Sequence, residues 1–146
     1  MKANKSNYAI SEAQYNKILS RIDMSGDCWL WTGAKSSAGY GNIKFTENGK
    51  SRWLVPHRAV YVYLNGEHDG ELDHLCRNRA CCNPAHLEVV DSRTNTLRGK
   101  GPTAKNFWAT HCKRGHEFDW VSPTTGRRRC TTCDRERRRR RHDKGE

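Results

Sequence analysis

From Leu72 to Asn95 the chain reads L-D-H-L-C-R-N-R-A-C-C-N-P-A-H-L-E-V-V-D-S-R-T-N. An Asp73-His74 pair, the soft or borderline metal ligands Cys76, Cys81 and His86, and the amide of Asn95 fall in this one stretch. A general base, a thiolate cage and hard oxygen ligands this close together point to metal-dependent hydrolysis of phosphodiesters.

Cys76, Cys81 and His86 follow the spacing C-x4-C-x4-H. A closed tetrahedral zinc site needs a fourth ligand. Cys28, beside aromatic strand residues, is the candidate, and His57 is the competitor. Cys82 is the odd thiol, expected to point away from Cys81 on an extended backbone. Buried thiols acting as small hydrophobes are the alternative to a metal site.

In a strand, Asp73 and His74 face opposite ways, so a local turn must bring both to one cleft edge. Ligation of zinc by His74 is the competing role, but Cys28, Cys76, Cys81 and His86 fill that site without it. A neutral imidazole can then take a proton from water. Asn95 and Asp73 offer oxygen donors suited to Mg²⁺ or Mn²⁺. Arg52, planar and permanently charged, is a candidate phosphate clamp.

Around this stretch the local signals are ordered. Ser11 can cap a helix running to Ile22, with Ala13, Tyr15, Ile18 and Leu19 as its apolar stripe. Cys28–Trp31 begins a strand, and residues 39–45 resume extended structure. Asn48-Gly49 marks a hairpin turn whose central residues need positive φ, with Arg52–Val55 returning. Pro56 opens a helix carrying His57, Arg58, Val60, Tyr61 and Leu64, and Asn65-Gly66 closes it. Strands are expected at 71–75 and 86–90. A helix capped by Asp91 or Ser92 then runs to Leu97 and stops at Gly99.

The 146 residues suffice for one domain, or one with a small appendage. Only 34% are hydrophobic, a thin core that metal staples would reinforce. Met1–Asn7 is polar and basic with no apolar run behind it, so neither a secretory signal nor a membrane span is expected. This places the chain in a reducing cytosol, where clustered cysteines read as zinc ligands before disulfides.

Net charge is +11, with the runs Arg127–Arg129 and Arg137–Arg141 near the C-terminus. Such an excess fits a polyanion, nucleic acid above all; a solvated basic tail is the alternative. Between the halves, R-G-K-G-P-T-A-K reads as a linker. Beyond it, Cys112, His116, Cys130 and Cys133 form a C-x3-H…C-x2-C array suited to a zinc ribbon or treble clef, with His111 a less natural substitute for His116. The arginine-rich helix expected after Cys133 could lie along phosphates.

The motif H-L-C-x4-C-x-N-P-x-H-L from His74 to Leu87, followed by Asn95, resembles the HNH or ββα-metal nucleases, and especially the His-Cys box homing endonucleases. Upstream, the order Cys28, Gly39-Tyr40-Gly41, Asn48-Gly49, Arg52-Trp53, His57-Arg58 is similar too. The resemblance spans roughly Cys28 to Gly99. It implies His74 as general base and Asn95 as ligand of the catalytic metal. It implies Cys28, Cys76, Cys81 and His86 as structural zinc ligands and Arg52 near the scissile phosphate. Asp73 is typical of the wider HNH group, where it binds metal, whereas His-Cys box enzymes lack a carboxylate there. Asn95 stands where many HNH enzymes carry His. The second Cys/His array departs from His-Cys box spacing.

The expected architecture is α+β. A zinc-stabilised ββα-metal nuclease core with an N-terminal helix spans residues 1–99, residues 100–108 form a linker, and residues 109–146 form a zinc-ribbon or treble-clef DNA-binding module. The expected activity is Mg²⁺- or Mn²⁺-dependent cleavage of double-stranded DNA, with two structural zincs, in the cytoplasm of a bacterial or phage-infected cell. Rival readings are a non-catalytic zinc protein that binds nucleic acid, and a nuclease subunit of a phage packaging or restriction system. No heptad marks a dimer, so single- or double-strand cleavage and a homodimer remain open.

Overall fold

Ser11 starts the first helix, α1 (Glu12–Leu19), with a reciprocal capping box: the Gln14 amide donates to Ser11 Oγ at 3.3 Å, and the Ser11 amide donates to Gln14 Oε1 at 3.1 Å. The helix stops short of Ile22 because Ile22–Asp23 (β1) pairs antiparallel with Leu30–Trp31 (β2). The computed structural model describes residues 8–143 and Gly145. The polar stretch Met1–Asn7, on which the expectation of no secretory signal rests, lies outside them. The chain divides into two units, one ending at Asn95 and the other beginning at Thr96.

In the first unit, β3 (Ile43–Glu47) and β4 (Lys50–Leu54) form a hairpin around Asn48 and Gly49, whose φ values are 49° and 73°. Alternation buries Ile43, Phe45 and Leu54 and exposes Lys44, Thr46 and Trp53. Helix α2 (Pro56–Asn65) begins on Pro56, whose missing N–H would be unpaired there anyway, and ends at Gly66 with φ 85°. The core joins Ile18, Trp31, Ile43, Phe45, Leu54, Ala59, Val60 and Cys82. Trp31 sits between Gly33 and Gly41, where a Cβ would come within 2.6 and 2.7 Å of its ring. Side chains of that size contribute about 1.5–3 kcal/mol each on full burial.

The strands β5 (Glu71–His74) and β6 (Leu87–Val90) pair antiparallel, Asp73 opposite Glu88 and His74 opposite Leu87. Asp91 caps the next helix, α3 (Ser92–Arg98), accepting from the Thr94 amide at 2.9 Å and Thr94 Oγ1 at 2.6 Å. A hairpin followed directly by a helix therefore carries the decisive stretch.

The second unit corrects the expected linker. Residues 102–108 form a helix, α4 (Pro102–Trp108), because Gly101 and Pro102 suit a helix start and no breaker follows. A hairpin absent from the sequence reading pairs Trp120–Val121 (β7) with Arg128–Arg129 (β8). Helix α5 (Thr131–Asp143) buries none of its residues. Its start is held by Asp119, which accepts from the Thr131 amide at 2.8 Å and from the Thr131 hydroxyl. Short helices and four two-stranded sheets among the described residues make the chain α+β. Among those residues no helix is long and apolar enough to cross a membrane.

Candidate active site

Backbone pairing brings the first Cys/His set together. The Trp31 amide donates to Ala80 O at 2.9 Å, the Cys82 amide donates to Trp29 O at 2.7 Å, and Asn83 Nδ2 donates to Asp27 O at 2.8 Å. These bonds lay the Cys28 segment against the 80–83 loop. Cys28, Cys76, Cys81 and His86 then present ligand atoms all within 4.8 Å of one another. His86 Nδ1 lies 3.6 Å from both Cys28 Sγ and Cys81 Sγ. A zinc–sulfur bond of about 2.3 Å gives a tetrahedron edge near these separations. Burial, then the neighbouring thiols of Cys81 and Cys76, push the Cys28 thiol up to about 12. A bare cluster thus resists multiple ionisation, and a dication would relieve that resistance. The four residues could hold a metal.

The competitor ligand, His57, lies elsewhere. It is buried in α2 and packs edge-on against His74, ring centroids 4.6 Å apart. Cys82, next to Cys81, points into the apolar core, and burial pushes its thiol up to about 12.

His74 is buried at the end of β5, and its Nε2 lies 3.1 Å from the carbonyl oxygen of Cys81. A carbonyl only accepts, so Nε2 carries the proton and Nδ1 of the neutral ring keeps its lone pair. Burial lowers the His74 pKa below 6.5, against the Cys81 carbonyl and the Asp73 charge, which raise it; the charges of Arg79 and Arg58 lower it further. The imidazole is therefore in its neutral form at neutral pH, with its one proton on Nε2. Tyr40 stands against both rings, its centroid 5.6 Å from that of His57 and 6.0 Å from that of His74. The Arg79 guanidinium lies over Tyr40 at 5.3 Å.

Strand alternation sends Glu71 and Asp73 to one face of β5 and Leu72 and His74 to the other. Asp73 is buried and paired with Arg77 at 2.7 Å. Asn95 in α3 donates from Nδ2 to Glu71 Oε2 at 2.5 Å. Asp73 and His74 are consecutive in β5, on opposite faces of it, and Asn95 is tied to its first residue. Asp73 and Asn95 offer the hard oxygen donors a divalent cation of the magnesium type takes.

Arg52 makes a structural contact. In β4, opposite Phe45, it donates from Nη2 to the Ala9 carbonyl at 2.8 Å, tying the hairpin to the segment before α1. The charges of Arg79 and Arg58 reach His74. Sequence reasoning left both without a role, along with Tyr40 and Glu71. The His57-Arg58 dipeptide was the available signal for Arg58.

In the second unit, Cys112, His116, Cys130 and Cys133 also present ligand atoms within 4.8 Å of one another. Cys112 Sγ and Cys133 Sγ are 3.7 Å apart, and His116 Nδ1 lies 3.4 Å from Cys133 Sγ. Burial raises the Cys112 thiol, but the amides of Arg114 and His116 and the thiols of Cys133 and Cys130 outweigh it and hold it at about 6. His111 stands outside this set, bonded to Thr110 Oγ1 at 2.8 Å.

The arginines divide into two kinds. Arg128 is half-buried and has a structural role as well. Its guanidinium donates to the carbonyls of Asn106, Phe107 and Ala109, closing the C-terminus of α4. Arg127, Arg129, Arg137, Arg138 and Arg141 line, together with Arg128, an open groove of about 490 Å³ between the β7–β8 hairpin and α5. Arg140 lines a smaller one with Arg114 and Glu136, and Arg139 lies on the exposed part of α5.

Residues 56–97 match the family model described as HNH endonuclease, so this segment carries an HNH-type endonuclease motif. Protein 2.8 of Escherichia phage T7 is 35% identical over 94 residues, 62% of this chain and 64% of the phage protein. The uncharacterized gene 5.3 protein of Enterobacteria phage T3 is 34% identical over 59 residues, 39% of this chain and 58% of that protein. The chain thus spans roughly three fifths of the length of these relatives. No solved structure matches it.

Proposed function

We propose that this chain is a metal-dependent DNA endonuclease of the HNH type. The observation that carries the reading is the bond from His74 Nε2 to the Cys81 carbonyl, which leaves Nδ1 as a neutral, oriented base inside an HNH motif. His74 Nδ1 accepts the proton of the attacking water. Asp73 and Asn95 hold one Mg²⁺ or Mn²⁺ through oxygen atoms. When bound, that ion relieves charge on the scissile phosphate and on the leaving 3′ oxygen. Arg58 and Arg79 supply fixed positive charge near the base, and Arg52 is the candidate phosphate clamp. Products carry 5′-phosphate and 3′-hydroxyl ends.

Cys28, Cys76, Cys81 and His86 hold one structural zinc, and Cys112, His116, Cys130 and Cys133 a second. The donor set, three thiols and an imidazole at tetrahedral spacing, supports zinc at each. The hairpin β5–β6 with α3 serves as the ββα-metal core. Residues 109–146 serve as a treble-clef module that holds duplex DNA through Arg127, Arg129 and Arg137–Arg141. The phage relatives support work in the cytoplasm of a bacterial or phage-infected cell.

A supercoiled-plasmid assay tests the reading. The zinc-loaded chain nicks plasmid when Mg²⁺ or Mn²⁺ is added, and His74→Ala abolishes nicking while gel-shift affinity stays. DNA binding with no nicking under either metal would instead indicate a non-catalytic zinc protein.

A further inference from the structure

Asn95 can serve an ion only if its amide is turned the right way. An amide offers two faces, an oxygen that binds cations and an NH₂ that repels them. Nothing in the backbone of α3 selects between them. The structure supplies a selector 24 residues upstream: Asn95 Nδ2 lies 2.5 Å from Glu71 Oε2. An ionised carboxylate only accepts hydrogen bonds, so Glu71 can face the NH₂ but not the oxygen. The Asn95 oxygen is thereby turned away from Glu71. Glu71 and Asp73 sit two positions apart on the same face of β5, about 7 Å along the strand.

We infer that Glu71 is a positioning residue that locks the amide of Asn95, so that its oxygen, together with Asp73, faces the divalent ion. This rests on the proposed nuclease reading, in which Asn95 ligates that ion. Glu71 acts through Asn95 and does not itself touch the metal. The anionic acceptor matters as much as its reach. A glutamine at 71 could bond Asn95 with either end, and the amide would be free to flip.

The test is Mn²⁺ binding to the full, zinc-loaded chain, followed by electron paramagnetic resonance, in a double-mutant cycle. Glu71→Gln should weaken Mn²⁺ binding about 10- to 100-fold, as loss of outer hydrogen-bond partners does at metal sites. Zinc content and gel-shift affinity should stay unchanged. In the Asn95→Ala background, Glu71→Gln should do nothing further, because the group it orients is gone. Equal losses in both backgrounds would overturn the inference, making Glu71 a direct ligand or a general support of the strand. An Mn²⁺ affinity unmoved by Glu71→Gln would also overturn it, while leaving the nuclease reading intact if plasmid is still nicked. A wild-type chain that binds no Mn²⁺ would sink both.

Discussion

The ring of His74 hangs from the backbone carbonyl of Cys81, 3.1 Å away, and Cys81 is one of the four residues of the first metal cluster. The proposed base and the proposed scaffold therefore share a residue. Disturbing the cage should disturb the chemistry before the unit unfolds. Cys81→Ser is expected to lower bound zinc from two to one per chain and to cost most of the nicking activity. Cys82→Ala, one residue on, faces the core and should keep both zincs while losing about 1 kcal/mol of stability. Metal analysis beside plasmid assays would separate the two. Equal zinc loss from both variants would remove the assignment of Cys81.

His74 sets a pH dependence. Burial lowers its pKa from 6.5, so the neutral, active form persists to lower pH than for a free imidazole. The acid limb of kcat/KM should fall below pH 6.5 and vanish with the activity in His74→Ala, a loss of about 10²- to 10⁴-fold. An acid limb above 6.5 would contradict a buried neutral base.

His57 should govern stability in acid. Burial, then the charges of His74 and Arg58, push its pKa down to about 3. The folded state binds the proton less well than the unfolded chain, whose imidazole titrates near 6.5. Stability from the neutral ring is therefore complete above that pH and is lost as pH falls from 6.5 towards 3, by up to about 1.4 kcal/mol per unit. Urea unfolding of wild type and His57→Phe between pH 7.5 and 4.5 would read this as a difference in slope, which cancels proton uptake by the thiols common to both. Parallel slopes would show that His57 takes up its proton as readily in the fold as in the unfolded chain.

The arginines of the second unit should split by role. Arg128→Ala removes the donors that close α4 and should increase protease sensitivity of that unit, with little change in the slope of log affinity against log salt. The triple variant Arg137→Ala, Arg138→Ala, Arg141→Ala should leave proteolysis alone and shallow that slope by about 2–3. If the two variants behave alike in the salt titration, the groove is not the DNA-binding surface.

Local chemistry made much of this molecule legible. The Ser11 capping box, the Asn48-Gly49 turn and the Pro56–Gly66 bracket each depend on residues a few positions apart, and the backbone adopts them as their φ preferences dictate. The spacings C-x4-C-x4-H and C-x3-H…C-x2-C are short enough for one loop or one turn to gather most of their ligands. Tertiary packing decided the rest. Cys28 joined His86 across 58 residues because strand pairing laid its segment against the 80–83 loop, which left His57 free to wall the base. Arg52 and Arg128 look like phosphate ligands in sequence, yet each binds backbone carbonyls. Charge alone does not say whether a guanidinium meets a ligand or the chain's own unpaired acceptors. Glu71 carried no signal at all, since its value comes from the one amide that folding brings to it.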